Sequence, residues 1–152
     1  MVKHGAKKNK STSDKSLNRR VTALKINKVI KMSAKLEKLS QILKELEKNT
    51  SIDGSAIVTP KGQMMASALH ADVDEKAVSA MAAALTSVGT RVGENLKIGE
   101  LGQMVLTGTD RIVLLNSLKN ALLIALAPSD AKIGLLDFEI GQALEKIKQT
   151  LG

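Results

Sequence analysis

Two histidines, His4 and His70, are the only side chains in the chain whose ordinary pKa lies close to neutrality. His70 stands two residues before Asp72 and four before Asp74, a donor set that invites a metal-site reading. Three donors on one loop, with no further His and no Cys beside them, make a poor cage. The plainer reading is a solvated loop that opens a helix, and no metal is expected. With His70 as the one imidazole outside the N-terminal arm, no Ser–His–Asp relay can be assembled. Phosphate loops fare no better. Neither Pro60-Lys61-Gly62 nor Gly99-Glu100-Leu101-Gly102 has the Gly-Lys-Ser/Thr ending or the following helix. The chain also lacks Cys altogether, which removes disulfides, thiolate ligands and thiol nucleophiles. No catalytic residue and no cofactor is expected, and an enzyme in its own right is the least favoured class.

Binding chemistry is more visible than catalysis. Residues 1–35 hold 11 of the 23 Lys and Arg and one of the 15 acids, a net +10; residues 36–152 hold the other 12 and 14, a net −2. A near-neutral domain therefore carries a strongly basic arm. Residues 1–15 are polar and almost free of large apolar groups, so they are expected to be disordered. Residues 16–32 can form a basic helix with Leu17, Val21, Leu24 and Val29 or Ile30 on one side, although Lys25 and Lys28 interrupt the stripe. That helix can also extend the next one backward. Lys7, Lys8, Lys10, Arg19 and Arg20 are the candidate contacts to a polyanion, either nucleic acid or an anionic membrane. The competing reading is a solubilising tail, or a stretch outside the natural product, since Met32-Ser33 also reads as a start. With no Trp, no Tyr and Phe138 as the single Phe, the chain cannot build a stacking platform for single-stranded nucleic acid. The longest apolar run is too short to cross a bilayer and no secretory signal is evident, so a cytoplasmic location is expected.

The remainder, residues 33–152, reads as one domain. Leu36, Leu39, Leu43 and Leu46 alternate three–four over a helix spanning 33–49, with Ser33 as its N-cap. Residues 55–59 and 63–68 form a hairpin around Pro60-Lys61-Gly62. Asp72 is expected to cap a helix over 74–96, with Glu75 completing a capping box. Three strands follow, over 101–107, 111–116 and 121–127; the last two are apolar on both faces and demand a sheet covered on both sides. Short connections make the strands antiparallel. Pro128-Ser129-Asp130 stops the last strand and caps a final helix with Ile133, Leu136, Ile140, Leu144, Ile147 and Leu151 as its stripe. The expected class is α+β, in the order α-β-β-α-β-β-β-α, with a five-stranded antiparallel sheet and helices on both faces.

The helix over 74–96 organises this arrangement. Val78, Met81, Leu85, Val88 and Val92 form one wide apolar stripe; Ala77, Ala80, Ala84, Ser87 and Arg91 form a second, small-residue stripe beside it. The large stripe is expected to cover the sheet, and the small one to let a second copy approach. The alternative is that alanine fills an exposed face because it is the best helix former.

The segments IDGSAIVTPKGQMMAS (52–67), AMAAALTSVGTRV (80–92), IGELGQMVL (98–106) and LLIALAPSDAKIGLLDFEIGQAL (122–144), in this order, resemble the roadblock (dynein light chain) domain family over residues 35–151. Thr59-Pro60-Lys61 replaces a commonly acidic turn, the turn at Thr109-Asp110 is shortened, and the basic arm is not a family feature. The resemblance implies a profilin-like fold. It also implies a homodimer, or a pair with a roadblock-like paralogue, in which the Ala-rich helices meet and the third strands join. Ala77, Ala80, Ala84, Ser87, Arg91, Gln103 and Val105 would lie at that interface. It further implies a non-catalytic regulator or scaffold that binds a small Ras-like GTPase. Toward such a partner Arg91 and Arg111 carry the right group for an arginine finger, though an ion pair is their simpler use.

Overall fold

The computed structural model describes residues 8–152, with side chains from residue 13 onward. The chain divides into two compact units, Met1–Lys35 and Leu36–Gly152. Helix α1 (Lys8–Asn49) contains neither Gly nor Pro in its 42 residues, so nothing along it breaks the backbone ladder. Ser33 therefore lies inside a helix and is not its N-cap. The described helix also takes in residues 8–15, part of the stretch expected to be disordered, and all of residues 16–32. Thr50 ends it: its hydroxyl donates to the Leu46 carbonyl at 2.6 Å and accepts the Ile52 N–H at 3.0 Å. Among the described residues no helix is long and apolar enough to cross a membrane.

Within the second unit the strands are β1 (Gly54–Val58), β2 (Met64–Ala68), β3 (Gln103–Thr107), β4 (Arg111–Ser117) and β5 (Leu122–Pro128). They form one sheet in the order β2-β1-β5-β4-β3, and every neighbouring pair is antiparallel. The β1–β2 turn closes through the Thr59 N–H, which donates to the Gln63 carbonyl at 2.8 Å, with Gly62 at a φ of +90°. Helix α2 (Glu75–Asn95) follows the hairpin and α3 (Ile133–Leu151) ends the chain. The α+β order read from the sequence holds element by element.

Two cores sandwich the sheet. On one face Leu39, Leu43 and Leu46 of α1 and Leu136, Ile140 and Ile147 of α3 cover Ile57, Ile112, Leu114 and Leu123. On the other, Ala82 of α2 meets Ala56, Val58, Leu115, Leu122 and Ile124. Alternate residues of β1, β4 and β5 thus feed opposite cores, which is why β4 and β5 carry no polar face.

The caps expected for α2 and α3 move as well. Asp74, not Asp72, is the N-cap of α2: its Oδ1 accepts from the Lys76 N–H at 3.0 Å and the Ala77 N–H at 3.3 Å. Asp72 lies inside the preceding turn, whose Val73 N–H donates to the His70 carbonyl at 3.0 Å, two residues too early to reach the orphan amides. The α3 N-cap is Lys132, which makes no side-chain cap bond; Pro128-Ser129-Asp130 instead forms a turn in which the Ala131 N–H donates to Pro128. Asp74→Ala is accordingly expected to cost about 1 kcal/mol. Asp72→Ala should stay within roughly 0.5 kcal/mol of the parent. Urea titration of the three chains followed by circular dichroism separates these outcomes.

Candidate interaction face

Helix α2 approaches the sheet through its small residues. Ser79, Ala82, Gly89 and Gly93 are the buried positions on it. A Cβ at Gly89 would meet Leu101 Cδ2 and Met104 Cε at 2.8 Å, and one at Gly93 would meet the Gly99 carbonyl oxygen at 2.6 Å. The two inward hydroxyls bond within their own helix, Ser79 to the Lys76 carbonyl at 3.0 Å and Thr86 to the Ala82 carbonyl at 2.9 Å. No polar group on this side needs water, so the helix can lie close against its own following loop.

The cost of this approach is that the large apolar stripe turns away. Met81 is 55% exposed, Val88 59% and Val92 41%, while Val78 and Leu85 are half-buried at the margin. The expectation that this stripe covers the sheet is therefore corrected. Close helix–sheet contact selects Ala and Gly at the point of approach, and side-chain size alone pointed the wrong way. The stripe overhangs an apolar groove of about 190 Å³ between α2 and strands β3, β4 and β5, walled by Val78, Met81, Leu85, Leu106, Val113 and Leu126 among others. Strand β3 forms the rim. It is the last strand of the sheet, hydrogen-bonded to β4 on one side, and its Val105 and Leu106 are exposed. An edge strand next to an exposed aliphatic helix face is a surface that soluble proteins normally cover.

The residues expected to form the interface are placed as follows. Ala77, Ala80, Ala84, Ser87 and Arg91 are all exposed, on the side of α2 away from the sheet. Val105 is exposed on β3. Gln103 is held within the subunit: its Nε2 donates to Asn116 Oδ1 at 3.1 Å and to Asp137 Oδ1 at 2.8 Å, tying β3 to α3. On α2 and β3, Met81, Val88, Val92 and Leu106 are exposed apolar positions that sequence reasoning did not assign to the surface. The two glycines at 89 and 93, spaced like Ala82 and Thr86 along the helix, were the signal that would have found them.

The residues weighed for chemistry are placed as follows. Arg111 pairs with Asp53 at the end of the sheet. Both groups are partly exposed, so the pair contributes little to stability. His70, Asp72 and Asp74 are exposed, and the Asp74 carboxylate is engaged by the α2 amides. Among the described residues no three His, Cys, Asp or Glu side chains gather into a metal-binding group. Of the candidate polyanion contacts, Lys7 lies outside the described residues. Lys8 and Lys10 lie on α1, with their side chains outside them, and Arg19 and Arg20 are exposed on the same helix.

The profile of the Roadblock/LC7 domain matches residues 38–127. An uncharacterised protein of Methanocaldococcus jannaschii is 31% identical over 110 residues, spanning 72% of this chain and 96% of that protein. Among solved structures, MglB of Myxococcus xanthus aligns with a TM-score of 0.73 at 14% identity, over 76% of this chain and 89% of its own. An MglB with a tetrameric arrangement aligns with a TM-score of 0.69 at 16% identity, over 77% and 90%. At these identities the structural likeness speaks to fold.

Proposed function

Because this chain belongs to the Roadblock/LC7 domain family, we propose that it is a non-catalytic, dimeric regulator or scaffold that binds a small Ras-like GTPase. The observation that carries the reading is the outward aliphatic stripe of α2 beside the edge of β3. Two copies meeting there bury Met81, Val88 and Val92 against each other and extend the sheet through β3, using backbone groups that need a partner. The partner copy is this chain itself or a roadblock-like paralogue; the MglB with a tetrameric arrangement supports self-assembly as a use of this fold.

Action on a GTPase then rests on shape. A rigid paired surface that binds one conformer of the partner's switch segments shifts its equilibrium by the difference in affinity between conformers. The chain contributes no phosphate loop of its own. Arg111 is engaged by Asp53, which leaves Arg91, exposed on α2, as the arginine to examine if hydrolysis by the partner is accelerated.

Size-exclusion chromatography with light scattering of the full chain tests the first part, with refractive-index detection because Trp and Tyr are absent. A dimer is expected at micromolar concentration, and a monomer there overturns it. The second part is tested by retaining proteins from native lysate on the immobilised full chain, with GDP or a non-hydrolysable GTP analogue. A small GTPase retained with one nucleotide and released with the other is expected. Recovery only of a second roadblock chain, or of subunits of a large assembly, replaces regulation with a scaffold role.

A further inference from the structure

We propose that residues 13–35 of α1 form a docking helix for an anionic lipid surface, with Leu17, Val21, Leu24 and Met32 entering the bilayer interface. These four recur on one side of the helix, and each is exposed, Leu17 to 59% and Leu24 to 62%. Ile26, Val29 and Ile30 are exposed as well, but Ile26 and Ile30 lie on the opposite side and Val29 on the flank, so the expectation that Val29 or Ile30 continues the stripe is corrected to Met32. Lys28 and Lys31 fall between them on the same side, where their aliphatic stems can lie along the interface while their ammonium groups reach the headgroups. Over residues 13–35 seven Lys and Arg face one acid, Asp14, so little of this charge is neutralised within the helix.

Three occupants compete for such a face, and charge and apolarity together choose among them. A second copy of the same helix would bring two strongly cationic segments side by side, with one acid on each to offset them. Nucleic acid would satisfy the cations, but its phosphate backbone offers no apolar phase for exposed aliphatics, and the helix has no ring to stack on bases. An anionic bilayer interface takes both parts: acyl chains meet the aliphatics and acidic headgroups meet Lys and Arg. Residues 36–152 carry a net −2, so attraction to that surface resides in residues 1–35, and seven of their 11 Lys and Arg lie on the segment 13–35. The helix is also an addition to the family domain. The Roadblock/LC7 profile begins at residue 38, and 110 residues of this chain already span 96% of the archaeal relative.

Sedimentation of the full chain with vesicles tests this. Binding is expected to vesicles of phosphatidylcholine mixed with phosphatidylglycerol, weak binding to phosphatidylcholine alone, and loss of binding at raised salt. Leu17→Gln with Leu24→Gln should weaken it about tenfold while preserving the helix, since Gln is a good helix former. Ile26→Gln with Ile30→Gln, on the opposite side, should leave it within about twofold. Arg19→Gln and Arg20→Gln should each weaken it roughly fivefold. Equal binding to both vesicle types, equal loss from the two aliphatic pairs, or binding to duplex DNA that anionic vesicles do not displace would each overturn the proposal. None of these measurements involves a GTPase, so this result and the regulator reading succeed or fail separately.

Discussion

A Gly93→Ala chain is expected to melt roughly 6–12 °C below the parent, from a loss of about 3 kcal/mol spread over a domain of this size. The added methyl would sit 2.6 Å from the Gly99 carbonyl oxygen, a backbone atom with no rotamer to escape into. The loop around it is held closely. The Ile98 N–H donates to the Gly93 carbonyl at 3.1 Å and the Leu96 N–H to the Val92 carbonyl at 2.9 Å. Lys97 already occupies a positive φ of 57°, a conformation with little further room to move. Exchanging Gly for Ala inside a helix ordinarily gains about 1 kcal/mol, and here that gain is outweighed. Gly89→Ala is the matched control. Its methyl would meet the tips of Leu101 and Met104 at 2.8 Å, and both tips can swing aside. That chain should melt within a few degrees of the parent. Thermal melts followed by far-ultraviolet circular dichroism decide the matter. Equal melting temperatures for the two variants would mean that the segment after α2 yields, and that the close approach does not fix how α2 lies on the sheet.

The second large effect concerns assembly. Val88→Glu should convert the proposed dimer into a folded monomer, raising the dimer dissociation constant by about 100-fold or more. Val88 is exposed within the subunit, so the carboxylate stays in water in the monomer and the melting temperature of the isolated fold should barely change. Across the pair the same charge would face the partner's aliphatic stripe without a counter-ion, which is expensive. Ala84→Glu, one turn away on the outer side of α2, should weaken pairing less. Light scattering over a dilution series, read beside circular dichroism, measures both quantities. A Val88→Glu chain that still runs as a dimer would remove the α2 stripe from the interface.

Periodicity carried most of the architecture. The hairpin around Pro60-Lys61-Gly62, the extent of α2 and the doubly buried strands β4 and β5 were legible because each depends on local chemistry or on a repeat of two or 3.6 residues. Two kinds of feature were not. Caps depend on where a helix begins to within one residue. Asp72 and Asp74 offer the same carboxylate, and only the turn before Asp74 chooses between them. The faces of α2 depend on how near the helix lies to the sheet, a distance that no spacing encodes. Val78, Met81, Leu85, Val88 and Val92 looked like a core stripe because they are large and periodic. Gly89 and Gly93 in fact mark the inward side, and most of the large stripe is left outside. The small-residue stripe lies on the exposed side of α2, away from the sheet as expected, while of the large stripe only Val78 and Leu85 pack against the core on the sheet.

The position of β3 at one end of the sheet has a consequence for how far association can go. If two copies join through β3 across a two-fold axis, each consumes the same edge, and the contact closes on itself. The doubled sheet then terminates in β2 at both ends. Strand β2 is five residues long and its pairing with β1 shifts register at a bulge between Ile57 and Val58. A short strand beside an irregular neighbour is a poor template for further strands. Growth along the strand-stacking direction is thereby limited to two copies, and any larger array must use a helical surface, where specificity comes from side chains and not from the repeating backbone.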